Sequence, residues 1–469
     1  MMELENYHAF HFVGLGGVGM CALARILIEK GITVSGSDVS DSAVLQELRN
    51  KGAAVFIGHK RENINNADVL VVSSAIGIDN PELQEAKSRD LPIFHRSDVL
   101  AAIFKWGKGI AVAGAHGKST TSAMIGQIFH VAKMDPTIVL GGFTDYLKGN
   151  SCLGHGEHII AEADESDGSF LKFATFLSVV TNIEDDHLDH YGTVENIRKA
   201  FVEFLNHVTY KDGGAIVCID SEGVQAILPQ IKKKVISFGI NDSAEYRAVN
   251  KRYEKQNMLF DVYHYKEKLG TVSLQIPGIH NVRDALGAIV VALYCGISFE
   301  TSVKALSVFS GVKRRFQTKM KEHGVWIVDD YAHHPTEIAA TLKAAKEMGR
   351  HRVICAFQPH RYSRTKLLRE EFSEAFIDAD VLFFTDIYAA GESPIQGIDG
   401  TLIPNLVKRR FPDKPINYVK NVEDLPKELY KVIKPDDMLI TMGAGNIYMA
   451  GEMLANLMKG KGLSSDYKK

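Results

Sequence analysis

The chain has 469 residues, of which 45% are hydrophobic and 24% charged, and its formal net charge is -3 at neutral pH. This length predicts two or three domains. The slightly negative net charge argues against a general nucleic-acid or membrane-surface binder, because such proteins carry an excess of basic residues. The acidic start lacks a signal-peptide pattern, and no apolar run reaches the roughly 20 residues of a membrane helix. Five scattered cysteines form no CxxC pair. We therefore expect a cytoplasmic protein that binds no nucleic acid and is not inserted in a membrane.

Residues 9–100 alternate short apolar runs with helical stretches, a rhythm that predicts a parallel α/β sheet. The first turn reads GLGGVG and places Gly14, Gly16, Gly17 and Gly19 between a strand and a helix, with Asp38 after the next strand. This spacing fits a dinucleotide-binding turn, and a nicotinamide dehydrogenase is one interpretation of it. Because the block is shorter than a complete dinucleotide domain, the turn alternatively holds the pyrophosphate of a nucleotide-linked substrate.

A second glycine turn, GAHGKS, follows the apolar run IAVAGA and precedes a helical stretch. It is shorter than a full P-loop, but its position between strand and helix predicts that backbone N–H groups point at phosphate. In this interpretation Lys118 neutralises phosphate charge and the Ser119 hydroxyl binds Mg²⁺. The alternative is an ordinary glycine turn with a surface lysine.

Acidic residues follow two further apolar runs of this second block, which extends to about residue 312. HIIAEADESD ends on Glu162, Asp164 and Glu165, and SVVTNIEDDHLDH contains His187. Carboxylates with one imidazole suit Mg²⁺ or Mn²⁺ better than zinc. The alternative is that these acids cap helices. The same block also predicts a β-rich insertion at about residues 243–276.

The third block, from Lys313, again alternates strands and helices, and polar motifs follow its apolar runs. DDYAHHPTE, FQPHRYSRT and the boundary motif GVKRRF concentrate histidines and arginines at predicted strand ends. Arginines there suit a phosphoryl group or a carboxylate, and a histidine suits the proton of an incoming amine. Taken singly, such residues are more often surface ion pairs and structural histidines.

The motifs GLGGVGM, GAHGKSTT, EADESDGSF, PGIHNVRDA, DDYAHHPTE and FQPHRYSRT occur in an order that resembles the Mur ligases along essentially the whole chain. The resemblance implies an α/β fold of three domains: a Rossmann-like domain at residues 1–106, a central P-loop ATPase-like domain at 107–312 and a C-terminal Rossmann-like domain at 313–469. It implies that ATP and Mg²⁺ (or Mn²⁺) are used to join L-alanine to the carboxylate of UDP-N-acetylmuramate, a step of peptidoglycan synthesis. We expect a monomer or a homodimer.

The resemblance also implies roles for individual residues. The UDP-sugar contacts would be Gly14, Gly16, Gly17, Val18, Gly19, Asp38, Ser73 and Ser74. The ATP contacts would be Gly114, Ala115, His116, Gly117, Lys118, Ser119, Thr120, His280, Asn281, Asp284, Arg315 and Asp330. The metal ligands would be Ser119, Glu162 and His187. The catalytic residues would be Lys118, His333, His360, Arg361 and Arg364.

The chain departs from the family pattern at Asp284, where relatives commonly carry Asn. An ionised Asp cannot donate a hydrogen bond to adenine, so this difference affects how the nucleotide is expected to bind. Three alternative functions remain at this point: a murein-recycling ligase that attaches a tripeptide, a nicotinamide dehydrogenase, and a non-catalytic nucleotide-binding regulator. The motif FQPHRYSRT is where we expect the recycling ligase to differ. Either His333 or His360 is expected to accept the proton of the amine.

Overall fold

A computed structural model describes residues 2–185, 188–254, 256–349 and 352–460 of the chain. By the density of internal contacts the chain divides into two units. The first unit runs to Lys251 and adds Leu259–Ser273 and Val282–Ser310, and the second comprises Arg252–Met258, Leu274–Asn281 and the chain from Gly311 onward. The domain boundaries expected at residues 106 and 312 stay predictions.

The first sheet consists of five parallel strands and has helices in the connections. In chain order the elements are β1 (Ala9–Val13), α1 (Val18–Glu29), β2 (Thr33–Asp38), α2 (Ala43–Asn50), β3 (Ala54–Ile57), β4 (Val69–Val72), α3 (Pro81–Ser88), β5 (Ile93–His95) and α4 (Arg96–Ile103). The strand order is β3-β2-β1-β4-β5. Strand β1, which precedes the first glycine turn, is thus the central strand. The strands that follow are added first on one side of β1 (β2, β3) and then on the other (β4, β5), and α/β sheets bind ligands at such a switch point.

The second sheet has ten strands and contains the second glycine turn. Its region comprises β6 (Lys108–Ala113), α5 (Lys118–Val131), β7 (Thr137–Thr144), β8 (Gly149–Cys152), β9 (His158–Glu162), β10 (Leu177–Val180), α6 (Leu188–Tyr191), α7 (Val194–Asn206), β11 (Gly214–Cys218), α8 (Glu222–Ile227), β12 (Val235–Gly239), β13 (Tyr246–Glu254), β14 (Asn257–His264), β15 (Glu267–Leu274), α9 (Ile279–Tyr294) and α10 (Phe299–Ser307). The strand order is β15-β14-β13-β12-β11-β10-β6-β9-β7-β8. Strands β13 to β15 confirm the β-rich insertion.

The third sheet has six strands, all parallel to their neighbours except β16. Its region comprises β16 (Gln317–Glu322), β17 (Val325–Asp330), α11 (Pro335–Glu347), β18 (Arg352–Phe357), α12 (Tyr362–Leu367), α13 (Arg369–Glu374), β19 (Val381–Phe384), α14 (Leu402–Arg410), β20 (Ile416–Tyr418), α15 (Leu425–Val432), β21 (Asp437–Met442) and α16 (Tyr448–Met458). The strand order is β16-β17-β21-β18-β19-β20.

Alternate residues of the third sheet enter two separate cores. Ile440 belongs to the core that also contains Leu342 of α11, whereas its neighbour Leu439 belongs to the core that contains Leu454 of α16. Successive side chains of a strand point to opposite faces, so this sheet is covered by helices on both sides. Because β17 and β18 both run parallel to β21, the polar motifs that follow them lie at the same carboxyl-terminal edge of the sheet.

Candidate active site

The second glycine turn connects β6 to α5 through two glycines with positive φ, Gly114 at +135° and Gly117 at +83°. A Cβ atom on Gly114 would lie 2.2 Å from Thr181 Oγ1, and one on Gly117 would lie 2.4 Å from Asp284 Oδ1. Both positions thus require glycine on conformational and steric grounds. Helix α5 begins at Lys118, so its first N–H groups face the turn, as a phosphate-binding site requires.

Lys118 is held inside this turn by backbone oxygens and by the buried carboxylate of Glu165. Its Nζ donates to Gly114 O at 2.6 Å and to Glu165 Oε1 at 2.7 Å. Burial alone would lower the pKa of Lys118, but the carboxylates of Glu165 and Glu162 outweigh that effect and raise it above its usual value. The lysine is therefore a cation placed where a phosphate would arrive.

Ser119 and Glu162, two of the three predicted metal ligands, meet at the start of α5. Ser119 Oγ donates to Glu162 Oε2 at 2.7 Å, and the Gly141 N–H donates to the same oxygen at 3.1 Å. A hydroxyl and a carboxylate this close are hard oxygen donors that fit one octahedral Mg²⁺ or Mn²⁺ ion. His187, the third predicted ligand, lies outside the described residues.

The remaining predicted residues of this turn are anchored to the end of β10. Asn182 Oδ1 accepts from the His116 N–H at 2.9 Å, while Asn182 Nδ2 and Thr181 Oγ1 donate to His116 O at 2.8 and 2.6 Å. The His116 ring reaches Glu184 Oε2 at 3.2 Å. Sequence reasoning missed Thr181 and Asn182, although polar residues directly after the apolar strand SVV were a signal. Ala115 lies in the same turn, whereas Thr120 is a buried residue of the first turn of α5.

In the first glycine turn, Asp38 fixes the backbone. Its Oδ2 accepts from the Gly16 N–H at 2.8 Å, and its Oδ1 accepts from the Val39 N–H at 2.8 Å. Gly14 has a φ of +78°, and the Gly17 N–H donates to Gly14 O at 3.1 Å. One carboxylate oxygen of Asp38 therefore holds the glycine turn, while the other accepts from the next residue of its own chain segment.

The predicted residues Val18, Gly19, Ser73 and Ser74 lie around the same turn. Val18 is exposed, and a Cβ on Gly19 would lie 3.4 Å from an Arg96 guanidinium nitrogen. Ser74 Oγ donates to Asp167 Oδ2 at 3.3 Å, so this serine already contacts the region after β9. Ser73 closes a turn through its carbonyl oxygen.

Sequence reasoning missed an ion pair between the start of α4, beside the first glycine turn, and the segment that follows β9. Arg96 Nη2 donates to Asp164 Oδ2 at 2.6 Å, while Arg96 also packs on Gly19. Burial would raise the pKa of Asp164, but Ser166 and Arg96 lower it to about 2. The carboxylate is thus ionised, and the pair holds the Arg96 cation beside Gly19 of the first turn.

Sequence reasoning also missed a buried polar cluster around Glu82 of α3 in the region of the first sheet. Glu82 accepts from Ser37 Oγ at 2.5 Å and from Asn63 Nδ2 at 2.6 Å, and the His59 ring lies 3.2 Å away. Burial would raise the pKa of Glu82, but hydrogen bonds from His11, Ser37 and Asn63 lower it to about 2. This fully buried carboxylate joins the end of β2, through Ser37, to the segment after β3 that contains His59 and Asn63.

In the second unit, the two predicted catalytic histidines lie together with different protonation patterns. Their ring centroids are 5.8 Å apart. His333 Nδ1 lies 3.0 Å from Tyr331 O, so that nitrogen carries the proton and Nε2 keeps its lone pair. Arg364 Nη1 lies 3.2 Å from His360 Nδ1, and since arginine only donates, the proton of a neutral His360 is on Nε2.

Both imidazoles are neutral at physiological pH. Burial lowers the pKa of His333 to about 4, and Arg364 and Arg315 contribute in the same direction against the opposing effect of Glu337. Burial likewise lowers the pKa of His360 to about 4, reinforced by His333 and the two arginines beside it. A neutral His333 with an available Nε2 lone pair can accept a proton.

Arg361 has a strained backbone at the start of α12. Its φ of 69° and ψ of 137° lie in a region that residues other than glycine rarely occupy. The conformation is fixed because the Arg361 N–H donates to Tyr388 O at 2.9 Å and Tyr388 N–H donates to Pro359 O at 2.8 Å. The His360 ring also stacks on Tyr388, with centroids 5.7 Å apart. Such strain is typical of functional positions.

The predicted nucleotide contacts of the second unit lie at two places. Arg315 contacts Glu337 at 3.2 Å, and Asp330 accepts from the N–H groups of Phe316 and Ala332, both at 2.7 Å. Burial raises the pKa of Asp330 to about 6, against the opposing effect of Arg315. The other place is the start of α9, where Asn281 Nδ2 donates to Pro277 O and to His280 Nε2.

Arg314, the neighbour of Arg315, is fully used within the second unit. Its guanidinium lies between the rings of Tyr331 and Tyr448, 4.9 and 4.6 Å from their centroids. It donates to Gly443 O at 2.7 Å and forms an ion pair with buried Asp329 at 3.3 Å. Arg314 thus stabilises the second unit, and the role of Arg315 as a nucleotide contact stays a prediction.

Strand, glycine turn and helix at residues 108–131 are those of a nucleotide-binding α/β protein. Three family models match the chain: "Mur ligase family, catalytic domain" at residues 9–106, "Mur ligase middle domain" at 112–292 and "Mur ligase, glutamate ligase domain" at 314–445. The chain belongs to the Mur ligase family, which confirms the resemblance and the α/β fold of three domains. Among the described residues, no helix has the length and apolar character needed to cross a membrane.

Individual relatives narrow the comparison. The chain is 46% identical over 450 residues to a UDP-N-acetylmuramate–L-alanine ligase of Geobacter sp. (strain M21), covering 96% of this chain and 97% of that protein. It is 45% identical to the enzyme of that name from Geotalea uraniireducens (strain Rf4), covering 96% and 98%. The structure of the UDP-N-acetylmuramate-alanine ligase MurC of Thermotoga maritima superimposes with a TM-score of 0.83 at 27% identity, covering 96% of this chain and 99% of that one. A murein peptide ligase of Psychrobacter arcticus shares the fold with a TM-score of 0.72 at 23% identity, covering 98% and 100%.

Proposed function

We propose that this chain joins L-alanine to the carboxylate of UDP-N-acetylmuramate at the expense of ATP, releasing ADP and phosphate. The observation that carries the proposal is the Lys118–Ser119–Glu162 arrangement at a strand–turn–helix junction in a Mur ligase. Near-full-length similarity to enzymes named for this reaction supports the choice of acceptor. Cytoplasmic location and a monomeric or dimeric state remain expectations.

In the first step, an oxygen of the sugar's carboxylate attacks the γ-phosphorus of ATP, and the bond to the β–γ bridging oxygen breaks to release ADP. The carboxylate is already ionised at neutral pH, so this step requires no base. Lys118, turned from Glu165 to the phosphates, stabilises the developing negative charge. When bound, Mg²⁺ or Mn²⁺ held by Ser119 and Glu162, with His187 as the third expected ligand, offsets phosphate charge.

In the second step, the amine of L-alanine attacks the acyl phosphate carbon and phosphate leaves. Alanine arrives as an ammonium ion and must first lose a proton. Of the two histidines, His333 has the orientation to accept it, because its Nδ1–H is directed at Tyr331 O and Nε2 is left as the acceptor; with a pKa of about 4 in the chain without ligands, it holds this proton only briefly. His360 is suited to donate a hydrogen bond from Nε2, and Arg361 and Arg364 to hold a carboxylate or the leaving phosphate.

The dehydrogenase interpretation is disfavoured because the first glycine turn lies within residues 9–106, which match the Mur ligase family. The recycling ligase and the non-catalytic regulator are distinguished by experiment. Phosphate release is measured with ATP, Mg²⁺ and UDP-N-acetylmuramate, adding L-alanine, the recycling tripeptide or neither. Release that depends on L-alanine is expected. Release only with the tripeptide would transfer the chain to the recycling reaction, and silence in all three from protein that binds ATP would favour a regulator.

A further inference from the structure

Asn150 is a fully buried residue of β8 whose side chain lies between α1, which follows the first glycine turn, and β7. Its Nδ2 donates to Val18 O at 2.8 Å and to Leu140 O at 3.3 Å. Its Oδ1 accepts from Arg25 Nη1 at 2.8 Å and from Cys21 Sγ at 3.9 Å. A primary amide has two donor hydrogens and two acceptor lone pairs, so Asn150 uses its entire capacity.

Two of these partners belong to ligand-binding segments. Val18 is the first residue of α1 and directly follows the glycines expected to hold the UDP sugar. Leu140 O and the Gly141 N–H belong to one peptide unit, and that N–H donates to Glu162 Oε2, the predicted metal ligand, at 3.1 Å. Because a peptide unit is planar and rigid, a tilt imposed on its carbonyl also moves its N–H.

Regular sheet pairing does not fix this peptide unit. The pairing of β7 with β9 ends at Val139 opposite Ala161, and the pairing of β7 with β8 is interrupted between Val139 and Thr144. A Cβ atom on Gly141 would lie 2.2 Å from Glu162 Oε2, so the carboxylate and the peptide are in close contact. Asn150 therefore supplies a hydrogen bond at a point where the ladder is irregular.

We propose that Asn150 is a positioning residue that couples the UDP-binding turn to the metal ligand Glu162 through the Leu140–Gly141 peptide. The inference rests on the proposed function, since it takes the first turn as the UDP site and Glu162 as a metal ligand. When UDP orders the first turn, the hydrogen bonds from Asn150 to Val18 O and Leu140 O are kept in place. The Leu140–Gly141 peptide then holds Glu162 in the position in which it binds the cation. Occupancy of one site thereby increases affinity at the other.

The test is Mn²⁺ binding, measured by electron paramagnetic resonance in the full chain with and without UDP. UDP is used because it lacks the sugar carboxylate. Its diphosphate binds Mn²⁺ by itself, so the Mn²⁺ bound by UDP without protein is measured in parallel and subtracted. In the wild type, UDP is expected to tighten Mn²⁺ binding about fivefold, the lower end of typical coupling between sites. Asn150→Ala is expected to keep UDP and Mn²⁺ binding but to lose the effect of one on the other.

Ser151→Ala is the matched control. Ser151 lies beside Asn150, accepts from the same Arg25 Nη1 at 3.0 Å and donates to Ala22 O at 3.0 Å, but neither bond involves Val18 or the Leu140–Gly141 peptide. This variant is expected to retain the coupling. Equal loss in both variants, or full retention in Asn150→Ala, would overturn the inference.

The wild-type measurement keeps the inference falsifiable if Asn150→Ala does not fold. Absence of any effect of UDP on Mn²⁺ affinity in wild-type protein that binds both would refute the coupling and leave the proposed function standing. Failure of the wild type to bind UDP, measured by calorimetry on the same sample, would refute the proposed function and the inference together.

Discussion

His333 makes the stability of the second unit depend on pH in a direction that the structure determines. Its pKa is lowered to about 4 in the folded chain, mainly by burial, against about 6.5 for a solvated histidine. Between these values the unfolded chain binds a proton that the folded chain does not. Stability is therefore fully present above the unfolded pKa and is lost as the pH falls from about 6.5 towards about 4.

The magnitude follows from the two pKa values. A difference of about 2.5 limits the total effect to about 3 kcal/mol, of which about 2 kcal/mol falls between about pH 7 and about pH 5. His333→Gln removes the titrating group. Between about pH 7 and about pH 5, both proteins are expected to lose stability, and the variant should lose about 2 kcal/mol less of its free energy of unfolding than the wild type. The pH dependence that His360 contributes is expected to remain in both proteins.

The assay is urea unfolding of the full chain at both pH values, followed by the fluorescence of Trp326 in a Trp106→Phe background, because these are the two tryptophans of the chain and Trp326 lies in β17. His323→Gln, at an exposed histidine of the same unit, is the control and is expected to leave the pH dependence unchanged. A His333→Gln variant that loses as much stability as the wild type would show that the folded imidazole titrates normally and would refute the reasoning.

Three further outcomes are expected. Gly117→Ala should abolish ATP binding in calorimetry, because the added Cβ would lie 2.4 Å from Asp284 Oδ1 and the φ of +83° disfavours alanine. Gly192→Ala is the control for backbone strain alone, because Gly192 has a similar φ of +74° but no atom within 4 Å of the added Cβ. Glu162→Gln should raise the Mg²⁺ concentration for half-maximal phosphate release at least tenfold, on the order of the loss of one charged ligand, and an unchanged metal requirement would remove Glu162 from the site. Arg314→Lys should destabilise the second unit by about 2–4 kcal/mol in urea unfolding, because lysine cannot keep both the stacking and the ion pair, and a variant as stable as the wild type would contradict the structural role of this arginine.

The α/β fold and its glycine turns could be predicted because their signals are local. Gly114 and Gly117 are separated by the spacing that a strand–turn–helix junction imposes, and the apolar runs around them mark buried parallel strands. The approach of Ser119 to Glu162 was also predictable, because the carboxyl ends of neighbouring parallel strands β6 and β9 meet at one edge.

The rest depends on contacts between distant parts of the chain. Arg96 and Asp164 are 68 residues apart, and nothing in either local sequence indicates that they pair. The choice between His333 and His360 as base depends on which nitrogen faces Tyr331 O and which faces Arg364, and that is a matter of side-chain orientation. Asp38 was predicted as a ligand contact from its position at the end of β2, whereas its hydrogen bond to the Gly16 N–H is visible only in three dimensions.

The most direct test of the account follows oxygen atoms through the reaction. UDP-N-acetylmuramate labelled with heavy oxygen in its carboxylate is incubated with the enzyme, ATP, Mg²⁺ and L-alanine, and phosphate and nucleotide are analysed by mass spectrometry. Attack of the carboxylate on the γ-phosphate predicts one labelled oxygen in the released phosphate and none in the nucleotide, together with a sugar product heavier by one alanine residue. Unlabelled phosphate, or label in AMP, would contradict an acyl phosphate ligase.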